Sequence, residues 1–266
     1  MYQARRTAFN LEQIQSLLRT DYCGQNLVSF LELESTNFSA KELAKVGYPS
    51  GTLVLCDHQI SGRGRRGKNW ISHPDEGICM SLILRPKISP QYAARYTIAV
   101  ALGVCRAMNT FCVDAKIKWP NDIVVGRKKL SGILLECAAS SSKLDYIIIG
   151  IGINVNTECF YGDLSETAVS IRQRTGVKIE RERVIAEVIN ASELYFELCE
   201  NDFDTLMTEY RSLSVVLNQE VSIIKSTETF NGVAYGFDEY GRIIVKFKDE
   251  SSQIFDSGDV SLRTKQ

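Results

Sequence analysis

Leu144-Asp145-Tyr146-Ile147-Ile148-Ile149-Gly150-Ile151 is the stretch of sequence that decides the fold. Its β-branched residues favour a strand, and it is too short for a buried helix of ordinary length. An apolar run of this kind predicts a central strand. The chain around it alternates between strand-like and helix-like segments, so we expect an α/β or α+β domain built on a sheet.

The other elements follow from hydrophobic periodicity and from turn residues. Predicted strands are 27–33, 52–57, 78–84, 116–119, 123–125 and 129–137. Predicted helices are 10–20, 37–46, 89–111, 181–199 and 203–212. The helix from Ser89 has serine at its N-cap and proline in its first turn, and its apolar composition predicts that it is buried against the sheet.

The sequence pattern of the chain changes from about Val215 onward. Four short β-like runs (220–224, 230–237, 242–247 and 253–255) are separated by turn dipeptides such as Asn231-Gly232. Short strands with hairpin turns predict a small β-barrel of about 50 residues. We therefore expect two domains, residues 1–214 and 215–266.

Composition excludes several classes of protein. The chain has 266 residues and a net charge of -1, so no global basic field exists to hold nucleic acid or a membrane. The first ten residues lack a signal peptide's apolar stretch, which predicts a cytoplasmic protein. Eight cysteines without C-x-x-C spacing predict reduced thiols, and Cys56, Cys79, Cys105 and Cys137, which lie in apolar runs, are predicted to belong to the core. Two histidines are too few to indicate a metal site.

Residues 61–68, Ser-Gly-Arg-Gly-Arg-Arg-Gly-Lys, form what we call the arginine loop. Glycines allow a backbone to approach a ligand closely, and guanidinium groups bind phosphate through two bonds. The alternative is a solvated surface turn, which needs no such glycines. The loop also matches G-x-G-x-x-G, but the following Lys-Asn-Trp is a poor helix start, so we reject a dinucleotide site.

A second motif is Lys118-Trp119-Pro120-Asn121-Asp122, at the end of one predicted strand and the start of the next. A lysine at a strand end can present its ammonium group to an anion, although an ordinary turn has similar residues. Two further segments accompany it. Gly132 lies in the next strand, and Asn154 follows two glycines at the end of the central strand, where an amide can bind a base or a ribose.

Together these stretches resemble the biotin–protein ligase family. The resemblance rests on Glu34-Ser35-Thr36-Asn37, on Gly62-Arg63-Gly64-Arg65-Arg66-Gly67 with Trp70, on Lys118-Trp119-Pro120-Asn121-Asp122 with Lys129-Leu130-x-Gly132, and on Gly152-Ile153-Asn154. It covers residues 30–160 in order and spacing, and the β-rich tail fits the family's C-terminal domain. It implies a mixed sheet flanked by helices, with a small SH3-like barrel.

The resemblance implies two reaction steps. Biotin and MgATP give biotinyl-5′-AMP and pyrophosphate, and a lysine of a biotin carboxyl carrier protein or domain then displaces AMP. ATP and Mg²⁺ are the implied cofactors, with no metal ligand identified. The implied partner is that carrier, for a monomer or homodimer that binds neither nucleic acid nor membrane. Only 33 residues precede Glu34, too few for the winged helix of some relatives.

The resemblance also implies a role for each residue that matches a position of the family's motifs. The resemblance implies that Ser35, Thr36 and Gln59 bind the ureido ring of biotin, and that Gly132 lines its pocket. Arg63 and Arg65 are expected to hold the carboxylate and the phosphate, and Lys118 to stabilise charge at the mixed anhydride. Lys118 and Arg65 are the expected catalytic residues. Trp70 is expected to cover the nucleotide, with Asn154 near the adenine. The remaining substrate-binding residues are Asn37, Gly62, Gly64 and Asn121.

Two alternatives stay open. A lipoate or octanoate ligase or transferase of related fold would need a long apolar tunnel. A non-catalytic module for RNA or phosphopeptide would need aromatic residues interleaved with the charge, and only Trp70 is near the arginine loop. We also expect the loop to be mobile without ligand, because its four cations repel one another.

Overall fold

The computed structural model describes residues 9–140, 143–225 and 227–262. The helices are α1 (Leu11–Leu17), α2 (Thr36–Lys45), α3 (Arg95–Asn109), α4 (Leu164–Thr167), α5 (Ile171–Thr175), α6 (Arg181–Asn201) and α7 (Phe203–Leu213). The strands of the large sheet are β1 (Asn26–Leu33), β2 (Thr52–Gln59), β3 (Gly77–Leu84), β4 (Lys116–Lys118), β5 (Asp122–Val125), β6 (Lys128–Ser140) and β7 (Lys143–Asn154).

The large sheet has the strand order β1-β2-β3-β7-β6-β5-β4. Strands β1 and β2 are parallel, and each other neighbouring pair is antiparallel, so the sheet is mixed. Strand β7 lies in the middle of the order. This confirms the prediction of a central strand from its isoleucine-rich sequence.

Strand β7 also determines which residues reach each face of the sheet. Successive side chains of a strand point to opposite faces. Ile147, Ile149, Ile151 and Ile153 belong to the main hydrophobic core. The residues between them near the strand's end, at positions 150, 152 and 154, are two glycines and an asparagine, which leaves the opposite face open.

Helices cover both faces. Helices α3 and α6 pack against each other and against the sheet within the main core, together with α1 and α7. Helix α2 packs against β2, β3 and β7 on the opposite face, where a smaller cluster forms around Ala40, Ala44 and Ile148. The sheet flanked by helices is therefore as predicted, and α2 leaves part of this second face uncovered.

The predicted helix 89–111 is divided in the structure. Ser89 makes no capping hydrogen bond through its side chain, and Pro90–Tyr92 form a separate 3₁₀ turn. The α-helix begins only at Arg95. Helices α4 and α5 were not predicted, although α5 begins with a capping box in which Ser170 and Gln173 bond reciprocally.

The small sheet contains β8 (Glu220–Lys225), β9 (Glu228–Phe237), β10 (Ile243–Lys246), β11 (Ser252–Phe255) and β12 (Asp259–Leu262), in the order β11-β10-β9-β8-β12. All its pairings are antiparallel. The predicted runs match β8 to β11, while β12 was missed. The Val215 amide donates to the Ile117 carbonyl at 2.9 Å, which ties the connection to β4; the boundary at residue 214 stays a prediction.

Three predicted core thiols, Cys56, Cys79 and Cys105, are buried. The prediction is wrong for Cys137, which is exposed. Strand β5 pairs with β6 only as far as Gly132, so Cys137 lies where β6 has become an edge strand. Within the described ranges, no helix is both long enough and apolar enough to cross a membrane.

Candidate functional site

A cavity of about 400 Å³ opens on the face of the large sheet beside α2. Twelve of the thirteen predicted site residues line it, although they come from five separate segments of the chain. They are Ser35, Thr36, Asn37, Gln59, Arg63, Gly64, Arg65, Trp70, Lys118, Asn121, Gly132 and Asn154.

The thirteenth, Gly62, does not line the described cavity. Its carbonyl accepts a hydrogen bond from the Trp70 amide at 2.9 Å. A Cβ atom at this position would lie 2.3 Å from the Trp70 carbonyl oxygen. Gly62 therefore allows two backbone segments to meet, and its expected contact with substrate stays a prediction.

One end of the cavity is a neutral polar cluster at the start of α2. The Thr36 amide donates to Gln59 Oε1 at 2.7 Å, and the Thr36 hydroxyl lies 3.1 Å from the same oxygen. Because a backbone amide can only donate, this bond fixes the orientation of the Gln59 side chain. Ser35 is the N-cap residue of α2, yet its side chain makes no capping bond and stays available to a ligand.

The same cluster continues behind the cavity. Ser81 Oγ lies 2.7 Å from both Thr36 Oγ1 and Asn37 Oδ1. Asn37 Nδ2 donates to the Leu134 carbonyl at 3.2 Å and to Glu136 Oε2 at 2.7 Å. Asn37 is thereby held on both sides, and it anchors the start of α2 to β6.

The arginine loop is a compact hairpin-like turn. The Gly64 amide donates to the Lys68 carbonyl at 2.7 Å, and the Lys68 amide donates to the Arg65 carbonyl at 3.1 Å. Arg66 and Gly67 have φ values of 53° and 73°, so the turn passes through left-handed backbone at two successive residues. A side chain tolerates this region poorly, which explains a glycine at position 67.

Three of the cationic side chains that line the cavity, Arg63, Arg65 and Lys118, are predicted site residues. Arg65 Nη1 donates to Asn121 Oδ1 at 3.2 Å, while Asn121 Nδ2 is bound to the Ile133 carbonyl at 2.7 Å. Burial lowers the pKa of the Arg65 guanidinium, and the charge of Arg66 lowers it further. Within the described chain, the side chains of Arg63 and Lys118 have no hydrogen-bond or ion-pair partner. Arg63 and Lys118 are therefore free to meet an anion.

The other two cations of the loop contact the small sheet. Arg66 Nη1 donates to the Ile224 carbonyl at 2.8 Å, and Lys68 Nζ lies 2.9 Å from Asp259 Oδ2. These contacts reduce the repulsion that underlies the expected mobility of the loop, and that mobility stays a prediction. Asp259 also lines the cavity, so the small sheet contributes a residue to it.

Trp70 lies against the glycines of β6 and β7. Gly132 and Gly152 are partners in the strand register. A Cβ atom on Gly152 would lie 2.3 Å from Trp70 Cε2, and one on Gly132 would lie 3.3 Å from Trp70 Cζ3. The two glycines together form the flat surface on which the indole rests.

Asn154 is held at the end of β7. Its Nδ2 donates to the carbonyls of Lys129 at 3.3 Å and Val169 at 3.2 Å. Both amide protons are therefore used within the protein, and Oδ1 is the atom left to a ligand. The segment that follows α4 thus closes this side of the cavity.

Sequence reasoning assigned no role to several residues of the cavity. Lys129 Nζ forms an ion pair with Asp122 Oδ1 at 2.6 Å and lies 5.8 Å from the centre of a Trp70 ring. Arg127 lines the cavity with an exposed side chain. Lys129 and Asp122 lie inside quoted motifs, so their position was a signal, whereas nothing in the sequence marks Asp259.

Two carboxylates, Asp122 and Asp259, line the described part of the cavity. Over the described residues, no group of three or more His, Cys, Asp or Glu side chains could hold a metal ion. Mg²⁺ needs no such group, since it is usually bound by one or two carboxylates, waters and substrate phosphates. The donor set suits a magnesium ion that arrives with a nucleotide.

Comparison with known proteins finds two family models and several relatives that match this chain. The Biotin/lipoate A/B protein ligase family matches residues 29–154, and the Biotin protein ligase C terminal domain matches residues 216–263. The bifunctional ligase/repressor BirA of Bacillus spizizenii is 36% identical over 94% of this chain and 78% of its own length. A biotin–[acetyl-CoA-carboxylase] ligase of Paracoccus denitrificans is 29% identical over 80% of this chain and 91% of its own.

Solved structures agree as well. Biotin protein ligase from Aquifex aeolicus, in complex with biotin and ATP, is 28% identical with a TM-score of 0.76. The match covers 91% of this chain and the whole of that one. With two domain matches, a relative above one-third identity and the same fold over nearly its full length, the chain belongs to the biotin protein ligase family.

Proposed function

We propose that this protein activates biotin with MgATP and transfers it to a lysine of a biotin carboxyl carrier protein or domain. The first step joins the biotin carboxylate to the α-phosphate of ATP and releases pyrophosphate. In the second step the lysine amine attacks the mixed anhydride and AMP leaves. The observation that carries the proposal is one cavity with a neutral polar end and a cationic side.

The neutral end suits the ureido ring of biotin. Gln59 Oε1 is already bonded to the Thr36 amide, so its Nε2 group is the donor that faces a ligand. Ser35 adds a hydroxyl group, and Asn37 supports the start of α2 from behind. A cyclic urea, with one carbonyl and two N–H groups, matches a site of mixed donors and acceptors. Gly132 leaves space along the wall.

The cationic side suits the reacting groups. A carboxylate that attacks an α-phosphate brings two anions together, and their repulsion is the first obstacle. In our proposal Arg63 and Arg65 hold the carboxylate and phosphate, and Lys118 stabilises the charge that develops at the anhydride. One well-placed donor of this kind contributes about 3 kcal/mol, or about 10² in rate. Gly64 permits close approach of the backbone, and Asn121 orients Arg65.

The nucleotide is assigned to the Trp70 and Asn154 side of the cavity. The indole offers a flat apolar cover, and Asn154 Oδ1 can accept from an adenine amino group. Asp122 and Asp259 are the candidate carboxylates for Mg²⁺, which supplies positive charge to the phosphates when bound. Both carboxylates also form ion pairs with lysines. Asp122 lies 2.6 Å from Lys129, and Asp259 lies 2.9 Å from Lys68.

Several properties stay predictions from the sequence. They are the cytoplasmic location, the monomeric or homodimeric state, and the absence of nucleic-acid and membrane binding. They also include the identity of the carboxylase carrier.

Calorimetric titration with biotin, before and after MgATP is added, tests the proposal, together with release of pyrophosphate. We expect release to depend on biotin and not on lipoate, octanoate or RNA. Release with lipoate but not with biotin would assign the protein to the lipoate branch. Binding of RNA without any pyrophosphate release would indicate a non-catalytic module.

A further inference from the structure

Four oxygen atoms form a row behind the neutral end of the cavity. Gln59 Oε1 lies 3.1 Å from Thr36 Oγ1, which lies 2.7 Å from Ser81 Oγ, which lies 2.7 Å from Asn37 Oδ1. Ser81 is fully buried on β3 and does not line the cavity. The direction of each hydrogen bond in the row depends on which of the four atoms carry a proton.

Both ends of the row can only accept. Gln59 Oε1 accepts from the Thr36 amide, so it is the carbonyl oxygen of the side chain. Asn37 Nδ2 donates to the Leu134 carbonyl and to Glu136, so Asn37 Oδ1 is likewise a carbonyl oxygen. Neither terminal atom carries a proton.

The row therefore has three contacts and two protons, one from each hydroxyl group. One contact must remain without a proton, and the longest, between Thr36 and Gln59, is the weakest to begin with. Ser81 then donates to Asn37, and Thr36 donates to Ser81. This leaves two oxygen lone pairs, on Thr36 and Gln59, facing each other at 3.1 Å beside the cavity.

We propose that Ser81 is a positioning residue for biotin, because it draws the Thr36 proton inward and so leaves a lone pair of Thr36 Oγ1 facing Gln59 and the cavity. A ligand N–H between Thr36 and Gln59 supplies the missing third proton. The inference rests on the proposed function, since a ring N–H of the cyclic urea is the group that donates. Ser81, which does not line the cavity, thereby determines that the site prefers a ligand N–H group over an oxygen atom of similar size.

Ser81→Ala tests this role by calorimetry with biotin. Without Ser81, the Thr36 proton turns to Gln59 and fills the gap between the two oxygens into which the ligand N–H would donate. We expect biotin to bind about tenfold more weakly, the usual effect of one lost hydrogen bond at a buried group. At saturating biotin, the rate of pyrophosphate release should be unchanged, because Ser81 lies behind the ureido end and not beside the phosphate.

The decisive probes are the two cyclic carbamate analogues of biotin, each with one ring N–H replaced by oxygen, measured by competition with biotin. In the wild-type protein, the analogue in which oxygen replaces the N–H group that faces Thr36 should bind far more weakly than biotin. In Ser81→Ala this penalty should shrink by about fivefold or more, as expected for coupled groups. The other analogue should show the same penalty in both proteins.

Ser131→Ala is the matched control. Ser131 is also fully buried in a strand of the large sheet, but its hydroxyl has no hydrogen-bond partner among the described residues. This variant should bind biotin like the wild type. Ser81→Cys, which is close in size and whose sulfur is only a weak acceptor for the Thr36 proton, gives the same comparison should the alanine variant not fold.

Equal losses for biotin and both analogues in Ser81→Ala would overturn the inference and leave Ser81 a structural residue. Unchanged biotin affinity would overturn it as well. A wild-type protein that binds no biotin would instead reject the proposed function itself. The measurement on the wild type therefore separates the two failures.

Discussion

Lys68 Nζ lies 2.9 Å from Asp259 Oδ2, and this contact joins the arginine loop, between β2 and β3 of the large sheet, to the last strand of the small sheet. Burial raises the pKa of Asp259, but the Lys68 ammonium and the nearby Arg66 and Arg65 lower it more, so that the net shift is downward. Because the carboxylate is charged at neutral pH, the contact persists there and is lost only in acid.

Asp259→Asn should loosen the arginine loop. The Lys68 and Asp259 side chains are 68% and 45% exposed, so the pair contributes less than about 1 kcal/mol to global stability. Its effect should instead be local, as faster amide hydrogen exchange at Gly64 and Lys68. High salt should have the same effect on the wild-type protein, because exposed ion pairs are screened.

Glu250→Gln is the control for that experiment. It breaks the ion pair between Lys246 and Glu250, which is similarly exposed but joins the end of β10 to the turn before β11, away from the loop. Loop exchange should not change in this variant. Unaltered exchange in Asp259→Asn would mean that the contact with Ile224 is enough to hold the loop.

Lys118→Ala should slow adenylate formation. The side chain of Lys118 has no partner in the described structure, so its charge is available to the reacting phosphate. We expect pyrophosphate release at saturating substrates to fall by about 10², with biotin binding unchanged. Rapid quenching of single turnovers measures the chemical step directly.

Lys116→Ala is the matched control, since Lys116 lies in the same strand and its ammonium pairs with Asp114 at 3.0 Å. Its rate should equal that of the wild type. An equal loss of rate in both variants would point to damage of β4 and would count against a role for Lys118 in catalysis.

Arg65→Ala should weaken binding of biotinyl-AMP more than binding of biotin, because the guanidinium is assigned to the phosphate. Asn121→Ala should give a smaller loss in the same direction, since Asn121 Oδ1 accepts from Arg65 at 3.2 Å. Calorimetry gives both dissociation constants. If Arg65→Ala weakened the binding of biotin and of biotinyl-AMP equally, the guanidinium could not be assigned to the phosphate.

The site was largely predictable because its residues lie in short local motifs. Residues 35–37, 63–65, 118–121 and 154 each lie at or just after the end of a strand or in a turn, and turn chemistry is visible in sequence. Their meeting in one cavity follows from β7, whose glycines at 150 and 152 face the same side as Asn154.

The missed residues have partners far away in the chain. Asp259 is 191 residues from Lys68, and its strand has only four residues with no clear pattern. Ser81 is a single serine in an apolar strand, and only the distances to Thr36 and Asn37 reveal its place. The burial of Cys137 was wrongly predicted because local hydrophobicity does not show where a neighbouring strand ends.

The buried thiols should resist alkylation. Burial raises the pKa of Cys79 to about 12 and that of Cys56 to about 11. Because the thiolate is the reactive form, its fraction at pH 8 is about 10⁻⁴ for a thiol with a pKa of 12. Peptide mass spectrometry after iodoacetamide should therefore find label on Cys112, Cys137 and Cys159 first. Early labelling of Cys79, which lines the cavity, would show that the site opens to solvent.

Gly152→Ala should displace Trp70 from the wall of the cavity. The new Cβ atom would lie 2.3 Å from Trp70 Cε2, so the indole must move or the strand must shift, at a typical cost of about 1–3 kcal/mol. We expect weaker binding of biotinyl-AMP, with a change in the fluorescence of Trp70 measured in a Trp119→Phe background. Gly236→Ala is the control, because its nearest neighbour would be 3.9 Å away. Adenylate affinity equal to that of the wild type would show that the position of Trp70 on Gly152 is irrelevant to the nucleotide.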